Sequence, residues 1–331
     1  MRTHVAVGLS LLVLIFAMAN VFVSHAQQAA GATAQPAGNG APQVSNPLKV
    51  ALLKWYLGNQ TTSFRVGVYP LGMCFDGANM WVVNNGSYTV TKIGTYDGAN
   101  LGTFNVGNQP LGCAFDGTNI WVTNSGENTV TRLRASDGKN LGRFAAGVGP
   151  GWPAFDGANI WVPNGAGTVA TVTKIRASDG KTLGTFNTGG TSAYSAVFDG
   201  TYIWITNYGG NTVTRLKQDG TNAGTFTGFS APLGIAFDGA NIWVANNGTN
   251  NVTKLRASDG KNLGTFVTSG AYFVTFDGQN VWVTTGGGVT VLTPYNGDRI
   301  GEFYLPGADG IAFDGANVWV TQNTLQNVSK M

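Results

Sequence analysis

Residues 115–144 read FDGTNIWVTNSGENTVTRLRASDGKNLGRF, and nearly everything from residue 60 to residue 331 is a variation on them. Phe-Asp-Gly recurs beginning at Phe75, Phe115, Phe155, Phe198, Phe237, Phe276 and Phe313. Six positions after each Phe stands a Trp: Trp81, Trp121, Trp161, Trp204, Trp243, Trp282 and Trp319. A period of roughly 40 residues with four short strands per copy marks a β-propeller rather than a helical solenoid. The sequence therefore predicts an all-β, seven-bladed propeller with four antiparallel strands per blade.

In the quoted copy the innermost strand spans Leu111 to Phe115, followed by Asn119 to Thr123, Thr129 to Arg134 and Leu141 to Ala145. Asp116-Gly117 and Asp137-Gly138 supply the hairpin turns, since Gly reaches positive φ without steric cost and Asp bonds its own nearby backbone. The runs between are Val, Ile, Thr and Trp with period two, as half-buried pleated strands require. The last copy stops at Asn327-Val328-Ser329-Lys330, after its third strand. The simplest closure lends Ser63 to Val66 from the N-terminal side as the outer strand of blade seven, so the ring keeps no long open edge.

Ahead of the repeats, a basic start at Arg2, an apolar run from Val5 to Val23 and the small-residue ending Ser24-His25-Ala26 describe a secretory signal peptide over residues 1–26. An uncleaved anchor is the other reading of that run. Residues 27–47 are Gln, Ala, Gly, Pro and Asn and read as a disordered linker, leaving 48–331 as the propeller. Leu48 to Tyr56 has no place in the strand count; it caps the ring, competes with Val328 or pairs with a partner. These readings predict an exported protein, with no membrane insertion after cleavage.

Charged residues make up 11% of the chain, against about a quarter in ordinary globular domains. Without Arg2 the balance is 18 basic to 16 acidic groups, which predicts no electrostatic grip on nucleic acid or anionic membrane. Cys74 and Cys113 stand one and two positions before their Phe in adjacent inner strands. Such offsets point to opposite sheet faces, so the pair is either a disulfide between neighbouring blades or two small buried hydrophobes.

The only histidines are His4 and His25, both within the signal peptide, so mechanisms resting on a His base or ligand are excluded from the cleaved chain. Twelve of the sixteen acidic residues are turn Asp, leaving Glu127, Asp298, Glu302 and Asp309. The seven Trp read as packing between blades. Asn84, Asn124, Asn164, Asn207 and Asn246 read as loop starters in left-handed geometry.

The departures from the repeat hold the functional signal. In a propeller the crossings between blades and the loops from second to third strand share one face and surround the channel mouth. Four positions before each Phe stand Leu71, Leu111, Gly151, Tyr194, Leu233, Tyr272 and Asp309; one position later comes mostly Gly, but Trp152 and Phe273 in copies three and six. The loops add Tyr88, Glu127, Tyr208 and the longer 165–171 stretch. Apolar walls with a few convergent polar groups suit a small-molecule or peptide site, so the candidate ligand-binding residues are Trp152, Tyr194, Tyr208, Tyr272, Phe273, Asp309 and Glu127.

The unit P-L-G-x-A-F-D-G-x-N-I-W-V-T-N, followed by N-T-V-T-K/R-L and S-D-G-K, resembles the YVTN/NHL-type repeats of exported bacterial seven-bladed propellers over almost all of 60–331. More distantly it is similar to the streptogramin (virginiamycin B) lyases, propellers that open a cyclic depsipeptide by elimination with a metal ion, His and Glu at the mouth. Those histidines have no counterpart here, so the activity is not carried over. The resemblance implies a surface or periplasmic protein without a cofactor.

Two functions remain in view. The first is an exported, non-enzymatic, monomeric scaffold that binds a small molecule, peptide, glycan or protein at the mouth, with no catalytic residue and no metal. The second is a lyase or hydrolase acting through carboxylates and a metal ion, which needs Asp309, Glu127 and Glu302 to converge.

Overall fold

The computed structural model describes residues 62–167 and 169–331. The expected signal peptide over residues 1–26, the expected linker over 27–47 and Leu48 to Tyr56 lie outside the described residues. The rest forms seven four-stranded antiparallel sheets, arranged as the blades of a propeller. Blade two runs Pro110–Phe115, Asn119–Asn124, Thr129–Arg134 and Asn140–Ala145, within two residues of the boundaries expected. Blade seven takes its outer strand from Thr62–Arg65, which pairs antiparallel with Asn327–Lys330 and brings Phe64 opposite Val328. The predicted closure is thus the observed one.

The core lies between the blades rather than at one centre. Trp81, Val83 and Val90 of blade one, for example, share a cluster with Ile120, Val122 and Leu133 of blade two. The ring closes by the same means, with Trp319, Val328 and Phe64 packed on Met73, Met80 and Ile93.

A buried indole has one polar atom that must find a partner. In all seven blades it donates to the Asp of Phe-Asp-Gly, at 2.6 to 2.8 Å. The other oxygen of each Asp accepts backbone N–H groups two and three residues on, as Asp116 does from Thr118 and Asn119. The turn Asp is therefore also the anchor of the Trp, which fixes the spacing between them. Burial opposes ionisation of Asp76, Asp156, Asp238 and Asp314, but these donors outweigh it and hold each carboxyl below its ordinary value.

Each Trp also lies beside the Phe of its own blade's outer strand, with ring centroids 5.2 to 5.8 Å apart. That Phe then covers the Gly of the next blade's second turn: Phe104 lies on Gly138, and Phe64 lies on Gly98. A Cβ at either glycine would fall inside the ring, and both have φ above +70°. The S-D-G-K glycine is as much a seat for the neighbouring blade as a turn residue.

Lys or Arg in the third strand stands opposite the Trp in six blades. The six cations, Lys92, Arg132, Lys174, Arg215, Lys254 and Lys330, sit over the indole at 5.0 to 5.7 Å. Each then donates to a carbonyl in the third-to-fourth turn of the next blade, at 2.6 to 3.2 Å.

Two sequence readings are settled here. Cys74 and Cys113 are joined, Cα to Cα 5.7 Å, because the facing surfaces of blades one and two are the opposite faces that their offsets select. The Asn after the second strand is corrected. Asn84 is buried at the strand end, accepts the Gly67 N–H and donates to Thr89 and Thr91. Asn124 and Asn164 do the same to Gly107 and Gly147. The left-handed residue comes later, just before the third strand, at Tyr88, Asn128, Asn211, Asn250 and Gln326. The Asn holds the interblade crossing onto the loop, a task that needs its amide rather than its backbone tolerance.

Gly138→Ala is expected to cost about 2 kcal/mol or more, from a left-handed non-Gly residue and a ring collision together. In a Phe104→Ala background the increment should fall to about 1 kcal/mol, the backbone share alone; urea unfolding of the double-mutant cycle checks this. Reducing Cys74–Cys113, which are 39 residues apart, should lower stability by up to about 4 kcal/mol on the chain-entropy account, read from the denaturation midpoint with and without reductant.

Candidate functional site

The innermost strands converge on the channel axis, and the position three before each Phe decides how much space remains there. Gly72 and Gly112 leave room for the Trp152 ring: a Cβ on Gly112 would stand 2.9 Å from Trp152 Cα and Cγ, and one on Gly72 3.1 Å from its Nε1. Where the position is Trp152 or Phe273, the inner strand shrinks to Ala154–Phe155 or Val274–Phe276. The Trp152 backbone instead bonds across to blade four, donating to Tyr194 O and accepting from Ala196 N–H.

Aromatic side chains from three blades meet over the axis. Trp152 of blade three stacks on Tyr194 of blade four, centroids 4.9 Å apart, and meets Phe273 of blade six at 4.7 Å. Tyr194 also lies 6.0 Å from Tyr208 and 6.4 Å from Phe273. The sequence predicts aromatic groups gathered at the mouth; the rings meet across the axis and present a platform. Beneath it is a cavity of about 150 Å³ lined by Met73, Cys113, Ile235 and Ile311, with the Ser195 hydroxyl buried and unpartnered.

Asp309 enters from blade seven. Burial pushes its carboxyl up to about 6, against the opposing hydrogen bond that Asn323 Nδ2 donates at 3.0 Å. The Tyr194 phenol is raised well above its ordinary value, first by burial and then by the Asp309 charge and by Tyr208 and Tyr69. Asp309, Tyr208 and Tyr69, from blades seven, four and one, therefore each lie within electrostatic reach of Tyr194.

Two predicted residues stand apart from this group. The Tyr272 ring packs near Gly286 of its own blade, where a Cβ would meet its Cε2 at 3.0 Å. Glu127 pairs with Arg143 at 2.8 Å, and Arg143 also donates to Val106 O, so its carboxylate is held toward the outer strand. Glu302 pairs with Arg299 in the outer strand of blade six. Among the described residues, no three His, Cys, Asp or Glu are placed to hold a metal ion.

Tyr69, Asn323 and Ser195 escaped the sequence reading. A signal existed for Tyr69: six positions before the Phe, other copies have Gln109, Gly149, Ser192, Ala231, Gly270 and Gly307. Tyr69 has φ 54° and Tyr88 φ 57°, and both are exposed. A bulky residue at positive φ is uncommon, and blade one has two on the mouth face.

No protein-family model and no curated protein matches the chain. Among solved structures, virginiamycin B lyase from Staphylococcus aureus is similar with TM-score 0.70 at 17% identity, over 82% of this chain and 98% of that one. A catalytically inactive variant of that lyase with quinupristin gives TM-score 0.69, also at 17% identity, over 82% and 99% of the two chains. Hydrazine synthase from Kuenenia stuttgartiensis gives 0.71 at 16% identity, over 80% and 95%. At these identities the likeness shows the seven-bladed fold.

Asp309→Asn tests the buried carboxylate. The unfolded carboxyl ionises near 3.8 and the folded one near 6, so between these values the folded state holds more protons and stability falls as pH rises. The variant is expected to melt with wild type at pH 3.5 and above it at pH 7.5, in thermal melts across that range.

Proposed function

We propose that this chain is an exported, non-catalytic binding module whose ligand rests on the aromatic platform at the channel mouth. The observation that carries this reading is the convergence of Trp152, Tyr194, Tyr208 and Phe273 from three blades, with Asp309 in reach of Tyr194. Repeat positions that are Gly or Leu in most other copies are given over to Trp152, Tyr194 and Phe273, although the inner strands of blades three and six shorten as a result. Export is supported by the apolar run and small-residue site of the first 26 residues. The absence of imidazole after His25 supports a role without acid-base chemistry.

A second reading follows from Asp309. A carboxyl that ionises near 6 in a partly dry site is equipped to take a proton, and the lyase reading would assign it that role.

The two separate in one experiment. Tyr208 is exposed, so Tyr208→Ala should leave the melting temperature unchanged. It should weaken a peptide, oligosaccharide or quinupristin that binds wild type by about tenfold, the equivalent of about 1.4 kcal/mol. Mass spectrometry of the incubated quinupristin should find it intact. A hydrolysed or eliminated product that disappears with Asp309→Asn would replace the binding reading with the enzymatic one.

A further inference from the structure

Charge on the mouth face is sparse and of one sign. The connections on that face, with the first two residues of each inner strand, contain no Lys or Arg; their only charged residues are Glu127 and Asp309. Glu127 is neutralised by Arg143. The Phe-Asp-Gly carboxylates have indole and backbone donors, and Asp137, Asp179 and Asp259 have arginines. Among the described residues, Asp309 is the carboxylate withdrawn from solvent with neither a cation nor a backbone N–H, only the Asn323 amide.

An ionised carboxylate so placed costs stability, because a single amide replaces little of its hydration. Around it stand phenol rings, whose faces attract cations by their quadrupole. Tyr194, which holds the same inner-strand position in blade four as Asp309 in blade seven, lies within electrostatic reach of it, and Tyr208, 6.0 Å from Tyr194, and Tyr69 stand on the far side of that ring. Below them the packed rings of Trp152 and Phe273 close the axis, so a group arriving from solvent is stopped at the level of the carboxylate.

We propose that the mouth receives an organic cation, an alkylammonium or guanidinium group of a small molecule or a peptide. Its charge sits against Asp309, and Tyr194, Tyr208 and Tyr69 form its aromatic walls. This rests on the reading of the mouth as the binding site and names the class of ligand it takes. The carboxylate supplies the counter-charge that the face otherwise lacks, and the rings supply faces that favour a diffuse cation over a hydrated metal ion. An anionic ligand would meet repulsion without a compensating base.

The test is calorimetric titration of the whole chain with choline, arginine methyl ester, the neutral choline isostere 3,3-dimethylbutan-1-ol and a neutral oligosaccharide. It is repeated with Asp309→Asn and Tyr208→Ala. Both cations are expected to bind at pH 8, and the isostere at least tenfold more weakly. Binding should weaken about tenfold at pH 5 as Asp309 protonates; of the groups beside it, the Asn323 amide does not titrate and burial holds the Tyr194 phenol protonated. Asp309→Asn should remove the preference for cations and the pH dependence together, and Tyr208→Ala should weaken cation binding at both pH values.

Equal binding of choline and its isostere, or cation binding unchanged by Asp309→Asn, overturns the proposal. So does the absence of cation binding at millimolar concentration. If the oligosaccharide then binds and loses affinity in Tyr208→Ala, the mouth remains the binding site for a neutral ligand. If a ligand binds and neither substitution affects it, the mouth reading fails as well.

Discussion

Seven indoles packed between the blades, six of them fully buried, set the terms for this ring, because each brings one N–H that needs an acceptor. The Asp of the first turn accepts it, and the turn, the second strand and the Trp become one unit with a fixed internal distance. Two of the repeated links that join blade to blade are then built on the indole. The outer-strand Phe lies against it and reaches the next blade's turn Gly, while the third-strand Lys or Arg crosses its face to the next blade's carbonyl. Lys92 and Lys254 are buried with their charges, a placement the indole face and the carbonyl together make tolerable.

The junction of blades six and seven shows that the cation serves the neighbour rather than the Trp alone. Opposite Trp282 stands Val291, not a base. Blade seven takes its outer strand from Thr62–Arg65, so its third and fourth strands are not joined by the tight turn whose carbonyl receives the cation in the other blades. A Lys at 291 would bury a charge without its acceptor. Instead Val289, Leu305, Val318 and Val320 form an apolar contact, and Trp282 is the one repeat Trp that keeps partial exposure.

The blade count, the strand positions and the closure by Phe64 were legible because local turn chemistry and period-two patterning encode them within some 40 residues. The links between blades were not. In N-T-V-T-K/R the base reads as the solvated side of a strand; only the folded ring brings the Ala135 carbonyl to Lys92, 43 residues away. The buried Asn84 looked like a loop residue for the same reason, since its one donor, Gly67, and its acceptors, Thr89 and Thr91, lie on both sides of a gap the repeat does not show. The disulfide stayed undecided because opposite sheet faces exclude it within one blade and permit it between two.

At the mouth the candidate residues could be found as departures from the repeat, but their arrangement could not. Trp152 and Phe273 belong to blades three and six and meet because the channel is narrow, a distance no sequence period encodes. Tyr272, read as their equal from its position, turns back to its own loop. The inner strands give up pairing where these rings stand, and blade one keeps two tyrosines in left-handed backbone. Consistency between local and global preference is the rule in a sequence that specifies one fold, and its breaches gather at functional sites. Here the breaches fall on the mouth face, while the Asp–Trp anchors are intact in all seven blades. The ring thus holds its shape through the repeated positions, which leaves the mouth positions free to bear a half-buried carboxylate without a cation partner that stability alone would not select.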